Sequence, residues 1–200
     1  MSGSVEFFFD VGSPASYLAW TQLPALCEGE GARLVYRPML LGGVFQATGN
    51  ASPAAVPVKG RYVNHDLARC AARMGVPFEM NPHFPIITLQ LMRAVTGVQA
   101  HAPQRFEDFL RAVFEAIWVK RMNLNEPSVA AQALVAAGFD AAEVMALAAD
   151  AQVKSQLRAT TEEAVTRGVF GAPTMFVGEE MYFGQDRLDF VREALKTPTR

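Results

Sequence analysis

The apolar run Val5–Phe9, interrupted only by Glu6, predicts a short buried strand. It breaks at Asp10-Val11-Gly12 and passes into Ser13-Pro14-Ala15-Ser16. Proline at the first helical position makes Ser13 the natural N-cap of a helix that carries Tyr17, Leu18, Trp20 and Leu23 and reaches Glu28. Pro24 lies inside that pattern and predicts a kink. Arg33–Pro38 reads as a second strand, which makes strand–helix–strand a parallel unit.

The pattern then changes twice. Leu41–Lys59, rich in Gly, Pro and small polar residues, reads as a long irregular loop of the kind that carries function. From Gly60 to Gly168 the periodicity is helical, with segments near 60–74, 88–96, 103–121, 127–137, 141–149 and 151–167. The clearest, 103–121, places Phe106, Phe109, Leu110, Val113, Phe114 and Ile117 on one stripe. After Gly168 the strand signal returns: Ala172–Val177, a turn at Gly178-Glu179, then Glu180–Phe183 and a last helix to about Leu195. The order β-α-β, helical block, β-β-α is that of an α/β thioredoxin-like fold with a large α-helical insertion. Residues 1–59 and 168–200 form the thioredoxin-like domain in this reading, and 60–167 the inserted all-helical domain.

Composition narrows the function. The chain has 200 residues, is 50% apolar and carries a net charge of −2 with scattered basic residues, so nothing points to nucleic acid. No apolar run reaches membrane-span length, and the N-terminus has neither a basic leader nor a long apolar stretch, which argues against a signal peptide. Cys27 and Cys70 fall in separate predicted helices with no dithiol or metal spacing, which fits a reduced, cytoplasmic setting. His65, His83 and His101 are far apart, so no metal site is expected.

Three constellations carry possible chemistry. Ser13 reads first as a helix cap; its position after a strand also puts a hydroxyl where α/β folds bind ligands and a helix dipole favours an anion. No base lies nearby in sequence and no Gly-x-Ser-x-Gly elbow exists, so a serine hydrolase is poorly supported. In Gly171-Ala172-Pro173-Thr174 a strand opens with proline, either an ordinary edge proline or a cis bond that frees the Ala172 backbone for an extended peptide. In Phe183-Gly184-Gln185-Asp186, Asp186 reads as the cap of the last helix, or Gln185 and Asp186 as a grip on a ligand's charged end.

The stretches FFFDVGSPASYLAW, LLGGVFQATGN, VPVKGRY, GVPFEMNPHFP and GVFGAPTMFVGEEMYFGQDRLDFV together resemble the 2-hydroxychromene-2-carboxylate isomerase family, which belongs with kappa-class glutathione transferases and DsbA-like oxidoreductases. The resemblance runs from about Val5 to Leu195. It implies a DsbA/kappa-type fold, glutathione as a regenerated cofactor, a small aromatic 2-oxo acid as substrate, and a homodimer. It implies that Ser13 is the catalytic serine beside the glutathione sulfur. Ala172, before a cis Pro173, would pair with the cysteinyl part, and Phe183, Gly184, Gln185 and Asp186 would bind the γ-glutamyl end. The Phe45–Lys59 loop would help form the aromatic-acid site. A relative has lysine near Phe45, which leaves Lys59 or Arg61 to hold the substrate carboxylate; Phe84 stands where that relative has an aromatic hydroxyl. The implied reaction is glutathione-dependent cis–trans isomerisation between 2-hydroxychromene-2-carboxylate and trans-o-hydroxybenzylidenepyruvate. The alternatives are a kappa-type transferase that releases a conjugate, and a thioredoxin-like binding module without redox activity. A dithiol oxidoreductase is excluded because neither cysteine lies in the site motif.

Overall fold

The computed structural model describes residues 3–196. Strand β1 (Ser4–Phe9) lies at the centre of a four-stranded sheet of order β2-β1-β3-β4, parallel to β2 (Arg33–Pro38) and antiparallel to β3 (Thr174–Val177), which pairs with β4 (Glu180–Phe183). Helix α1 (Pro14–Gly29) connects the parallel pair, and α9 (Leu188–Lys196) follows β4. The order β-α-β … β-β-α is the one the pattern predicts. The ends assigned to the thioredoxin-like unit, residues 1–2 and 197–200, lie outside the described residues.

Both sheet faces are covered, which is why β1 is apolar at consecutive positions. Val5, Phe7 and Phe9 join the main core with Tyr17, Leu18, Leu23 and Phe114. Phe8 points the other way, into a smaller cluster with Met39, Val44, Ala164, Val169 and Phe176. Glu6, on that second face, accepts from Arg37 and Arg167, each at 2.9 Å. The same two arginines pair with Glu163 and lie over the Phe8 ring.

Between β2 and β3 run α2 (Leu41–Thr48), α3 (Pro57–Met74), α4 (Leu89–His101), α5 (Phe106–Trp118), α6 (Pro127–Ala136), α7 (Ala141–Ala149) and α8 (Ala151–Thr166). Short 3-10 turns stand at Pro53–Ala55 and Pro103–Arg105. The expected stripe on α5 is fully buried. That helix ends at Trp118 rather than Arg121, because the chain turns through a left-handed Arg121 (φ 56°). Helix α1 continues through Pro24 to Gly29.

The irregular loop expected over 41–59 is largely helical. The glycines that suggested a loop serve other ends: a Cβ on Gly43 would come within 3.2 Å of Thr161 on α8, and Gly49 terminates α2 at φ 71°. Helix α3 accordingly starts at Pro57, ahead of the expected boundary at 60. The segment 75–88 is the irregular one. It is fixed by the buried Asn81, whose amide donates to the Ile117 and Met122 carbonyls at 2.9 and 3.0 Å, and by Tyr17, whose hydroxyl donates to Pro77 at 2.6 Å.

Candidate active site

The strand-to-helix turn after β1 is built by Asp10. Its side chain accepts from the Gly12 N–H at 2.9 Å, and its carbonyl accepts from the Ser13 N–H at 3.0 Å. This Asx turn sets Ser13 as the N-cap of α1, where Oγ accepts from the Ser16 N–H at 3.1 Å. Ser13 is 5% exposed, and its Oγ donates to the Ala172 carbonyl at 3.0 Å. The hydroxyl therefore faces a backbone carbonyl from the far end of the chain at the positive end of a helix. The Ala172–Pro173 bond is cis, as is Phe84–Pro85.

Around this floor opens a cleft of about 760 Å³. Ser13, Phe45, Phe84, Ala172, Phe183 and Gln185 all line it, so the structure gathers these six sequence-selected residues in one place. Pro173, Gly184 and Asp186 stand behind the lining: the Pro173 carbonyl accepts from the Gly184 N–H at 3.0 Å. Asp186 is not a helix cap. Helix α9 starts only at Leu188, its first turn closes on the Arg187 carbonyl, and the Asp186 carboxylate pairs with Arg187 at 2.8 Å.

Lys59 and Arg61 are exposed and do not line the cleft. The reason is helical register: α3 turns Gly60, Val63, Asn64 and Leu67 toward the cleft, and residues 59 and 61 flank that stripe. Among the described residues no lysine or arginine lines this cleft. Ser16, one turn into α1, is fully buried, with an Oγ that has no hydrogen-bond partner.

Four further lining residues, Asp10, Asn50, Thr88 and Phe170, make the contacts that hold the cleft together and were not singled out in the sequence. Asp10 is buried, and besides Gly12 it accepts from the Leu41 N–H at 2.9 Å and the Thr88 hydroxyl at 3.0 Å. It thus joins the serine turn, the start of α2 and the approach to α4. Burial pushes its carboxyl above the ordinary range, opposed by those three hydrogen bonds. Thr88 is its partner. Phe170 packs against Phe183 with ring centroids 4.6 Å apart, and Asn50 Nδ2 donates to the Phe170 carbonyl at 2.8 Å, so two walls of the cleft meet there. An Asp-x-Gly turn before a capped helix was a local signal for Asp10; the others depend on long-range contacts.

Neither thiol lies in the lining. Cys27 is buried in α1, and burial pushes its thiol up to about 11. Cys70, half-buried on α3, accepts a long contact from Gln185 Nε2 at 3.8 Å. No group of metal-binding side chains occurs among the described residues, and no helix among them is long and apolar enough to cross a membrane.

A family profile described as DSBA-like thioredoxin domain matches residues 4–196. Glutathione S-transferase kappa 1 of Homo sapiens is 30% identical over 96% of this chain and 90% of its own length. A 2-hydroxychromene-2-carboxylate isomerase of Sphingobium xenophagum is 30% identical over 98% of this chain and 99% of its own. The solved structure of a 2-hydroxychromene-2-carboxylate isomerase superposes with a TM-score of 0.83 at 28% identity, covering 96% of this chain and 94% of that one. A probable DsbA oxidoreductase from Streptomyces coelicolor shares the fold at a TM-score of 0.74 and 21% identity, covering 99% and 93%.

Proposed function

This chain belongs to the DsbA-like thioredoxin family, and from that membership we propose that it is a glutathione-dependent cis–trans isomerase acting on a conjugated aromatic 2-oxo acid of the 2-hydroxychromene-2-carboxylate type. One observation carries the reading. The cleft floor has the hydroxyl and helix N-terminus that favour a sulfur anion, yet no thiol of the chain lines it. The sulfur must arrive with a ligand.

The residues present fit glutathione. The Ala172 N–H makes no hydrogen bond among the described residues and is available to the cysteinyl carbonyl of an extended peptide. Gln185 has only the long contact to Cys70 and can turn its amide to the γ-glutamyl end, with Phe183, Gly184 and Asp186 beside it. When bound, glutathione would supply a thiolate nucleophile, the chemistry that permits rotation about a conjugated C=C bond without net consumption of thiol.

Ser13 has one proton, donated to the Ala172 carbonyl in the ligand-free chain. Redirected to a sulfur anion, a charge-assisted hydrogen bond of this kind is worth roughly 1.5–3 kcal/mol. At 1.36 kcal/mol per unit, that lowers a thiol pKa by about 1–2 units. The N-terminus of α1 adds roughly 0.3–1 kcal/mol. Together they make a thiol of ordinary pKa ~8.5 largely anionic near neutral pH. Phe45, Phe84, Phe170 and Phe183 supply aromatic faces for the substrate body.

The test is to follow the ultraviolet spectrum of 2-hydroxychromene-2-carboxylate with the protein, with and without glutathione. Thiol-dependent interconversion at constant total thiol supports the isomerase. The similarity to the kappa transferase over nearly the whole chain favours one second reading, conjugate release, in which total thiol falls as product forms. Indifference to glutathione in both assays leaves a binding module.

A further inference from the structure

A second cavity of about 830 Å³ lies on the other side of α2, between α2, α4 and α8. Leu40 and Leu89 line both this groove and the Ser13 cleft. Helical spacing explains its surface. On α4, Leu89 and Arg93 are one turn apart; on α8, Lys154, Leu157, Arg158 and Thr161 share a face. The two helices therefore oppose aliphatic ridges edged with cations. Arg93, Lys154 and Arg158 line the groove against one anion, Glu162, which pairs with Arg158 at the long distance of 4.0 Å. Lys154 is further balanced by the nearby Asp150.

Arg93 is the exceptional group. Among the described residues only Arg37, Arg93 and Arg167 are half-buried basic side chains; every other lysine and arginine is exposed. Arg37 and Arg167 are saturated by Glu6 and Glu163 and stacked over phenyl rings. Arg93 has no hydrogen-bond, ion-pair or ring partner among the described residues. Its guanidinium nitrogens keep contact with solvent, so an anion entering the groove can replace water at five unpaired donors.

We propose that this groove is a second ligand site, separate from the Ser13 cleft, which takes an amphipathic organic anion. Arg93 binds the carboxylate or sulfonate end, and the Leu40, Leu89 and Leu157 floor takes the apolar body. The volume suits a mono- or bicyclic molecule, since small-ligand pockets run from about 300 to 1,000 Å³. The site involves neither Ser13 nor Ala172, so it stands whatever the cleft binds.

The test is fluorescence titration of the full chain with 8-anilinonaphthalene-1-sulfonate. Arg93→Gln removes the anion partner; Ala47→Phe, at an exposed α2 position lining the groove, fills the space for the body. Each is expected to weaken the tightest binding phase by about tenfold or more, with Arg93→Lys intermediate, as for loss of a charge-assisted contact. Arg111→Gln removes an equal charge from an exposed position outside both cavities and is expected to change it less than about twofold. The proposal is overturned if wild type does not bind the dye, if Arg93→Gln and Arg111→Gln act alike, or if Ala47→Phe leaves binding unchanged. Thermal melts of each variant confirm that the fold is retained before the titrations are compared.

Discussion

Ser13 Oγ donates to the carbonyl of Ala172 at 3.0 Å, across 159 positions of sequence, and the same oxygen accepts from the Ser16 N–H. The hydroxyl proton is thus committed in the ligand-free chain but held by a neutral acceptor, which an anion readily displaces. Ser13→Ala is expected to lower turnover by about ten- to a thousandfold while leaving glutathione affinity within a few-fold, because the bond strengthens as thiol becomes thiolate. Steady-state rates at pH 7 with parallel binding measurements check this. Undiminished activity in the variant would remove the hydroxyl from the chemistry.

Ser13→Cys is expected to exchange with oxidised glutathione, forming a protein–glutathione disulfide and releasing one reduced glutathione. A thiolate at a helix N-terminus attacks the disulfide sulfur and the second thiolate leaves. Intact-mass analysis detects the adduct, and the wild-type chain, with no thiol in the cleft lining, is expected to remain unmodified under the same brief exposure.

Asp10 gives a pH signature. Its folded-state pKa is raised by burial, so its contribution to stability is fully present below the unfolded value of about 3.9 and is lost as pH rises through the folded value. Relative to Asp10→Asn, the wild-type chain is expected to lose stability as pH climbs out of the acid range and then to level off. Chemical denaturation of both proteins across that range measures the difference. A wild-type stability that instead rises with pH relative to Asp10→Asn would mean that the Gly12, Leu41 and Thr88 hydrogen bonds outweigh burial.

The absence, among the described residues, of a lysine or arginine from the cleft lining predicts how substrate charge is handled. Phe45→Lys is expected to lower KM for an aromatic 2-oxo acid several-fold and to leave KM for its methyl ester unchanged. Lys59→Ala and Arg61→Ala, outside the lining, are expected to shift KM for the acid less than about twofold, in keeping with screened surface charges.

Phe114 packs against Phe9, Tyr17 and Trp20 at the junction of β1, α1 and α5 and is fully buried. Phe114→Ala is expected to cost about 3–5 kcal/mol of unfolding free energy, the range for emptying a large aromatic site. Urea denaturation measures it.

What was legible in the chain was what short-range chemistry writes there. The apolar run of β1, the Ser13-Pro14 helix start, the stripe of α5 and the turn between β3 and β4 need only neighbours for their meaning, and they fall where the pattern puts them. The failures share a cause. Gly43 looked like a loop residue because the Thr161 it must approach is far away in sequence. Asp186 looked like a cap because nothing local shows that Arg187 claims it and that α9 begins later. Asp10 looked like a turn residue, and half of its bonding, to Leu41 and Thr88, lies 31 and 78 positions on. Recognition of the motifs as a set brought Ser13, Ala172, Phe183 and Gln185 together before any contact between them was known; it did not reveal the helical register that turns Lys59 and Arg61 aside.

The two cavities meet back to back at Leu40 and Leu89, so these two side chains are a wall of both. A larger side chain at either position that leans one way enlarges neither chamber and shrinks one; a smaller one opens both at once. Changes of substrate range by substitution at these two leucines would therefore carry an unavoidable correlated change on the far side of α2. Lineages that diversify one chamber without disturbing the other have to do so at the walls that are not shared, at Phe45, Phe84 and Phe170.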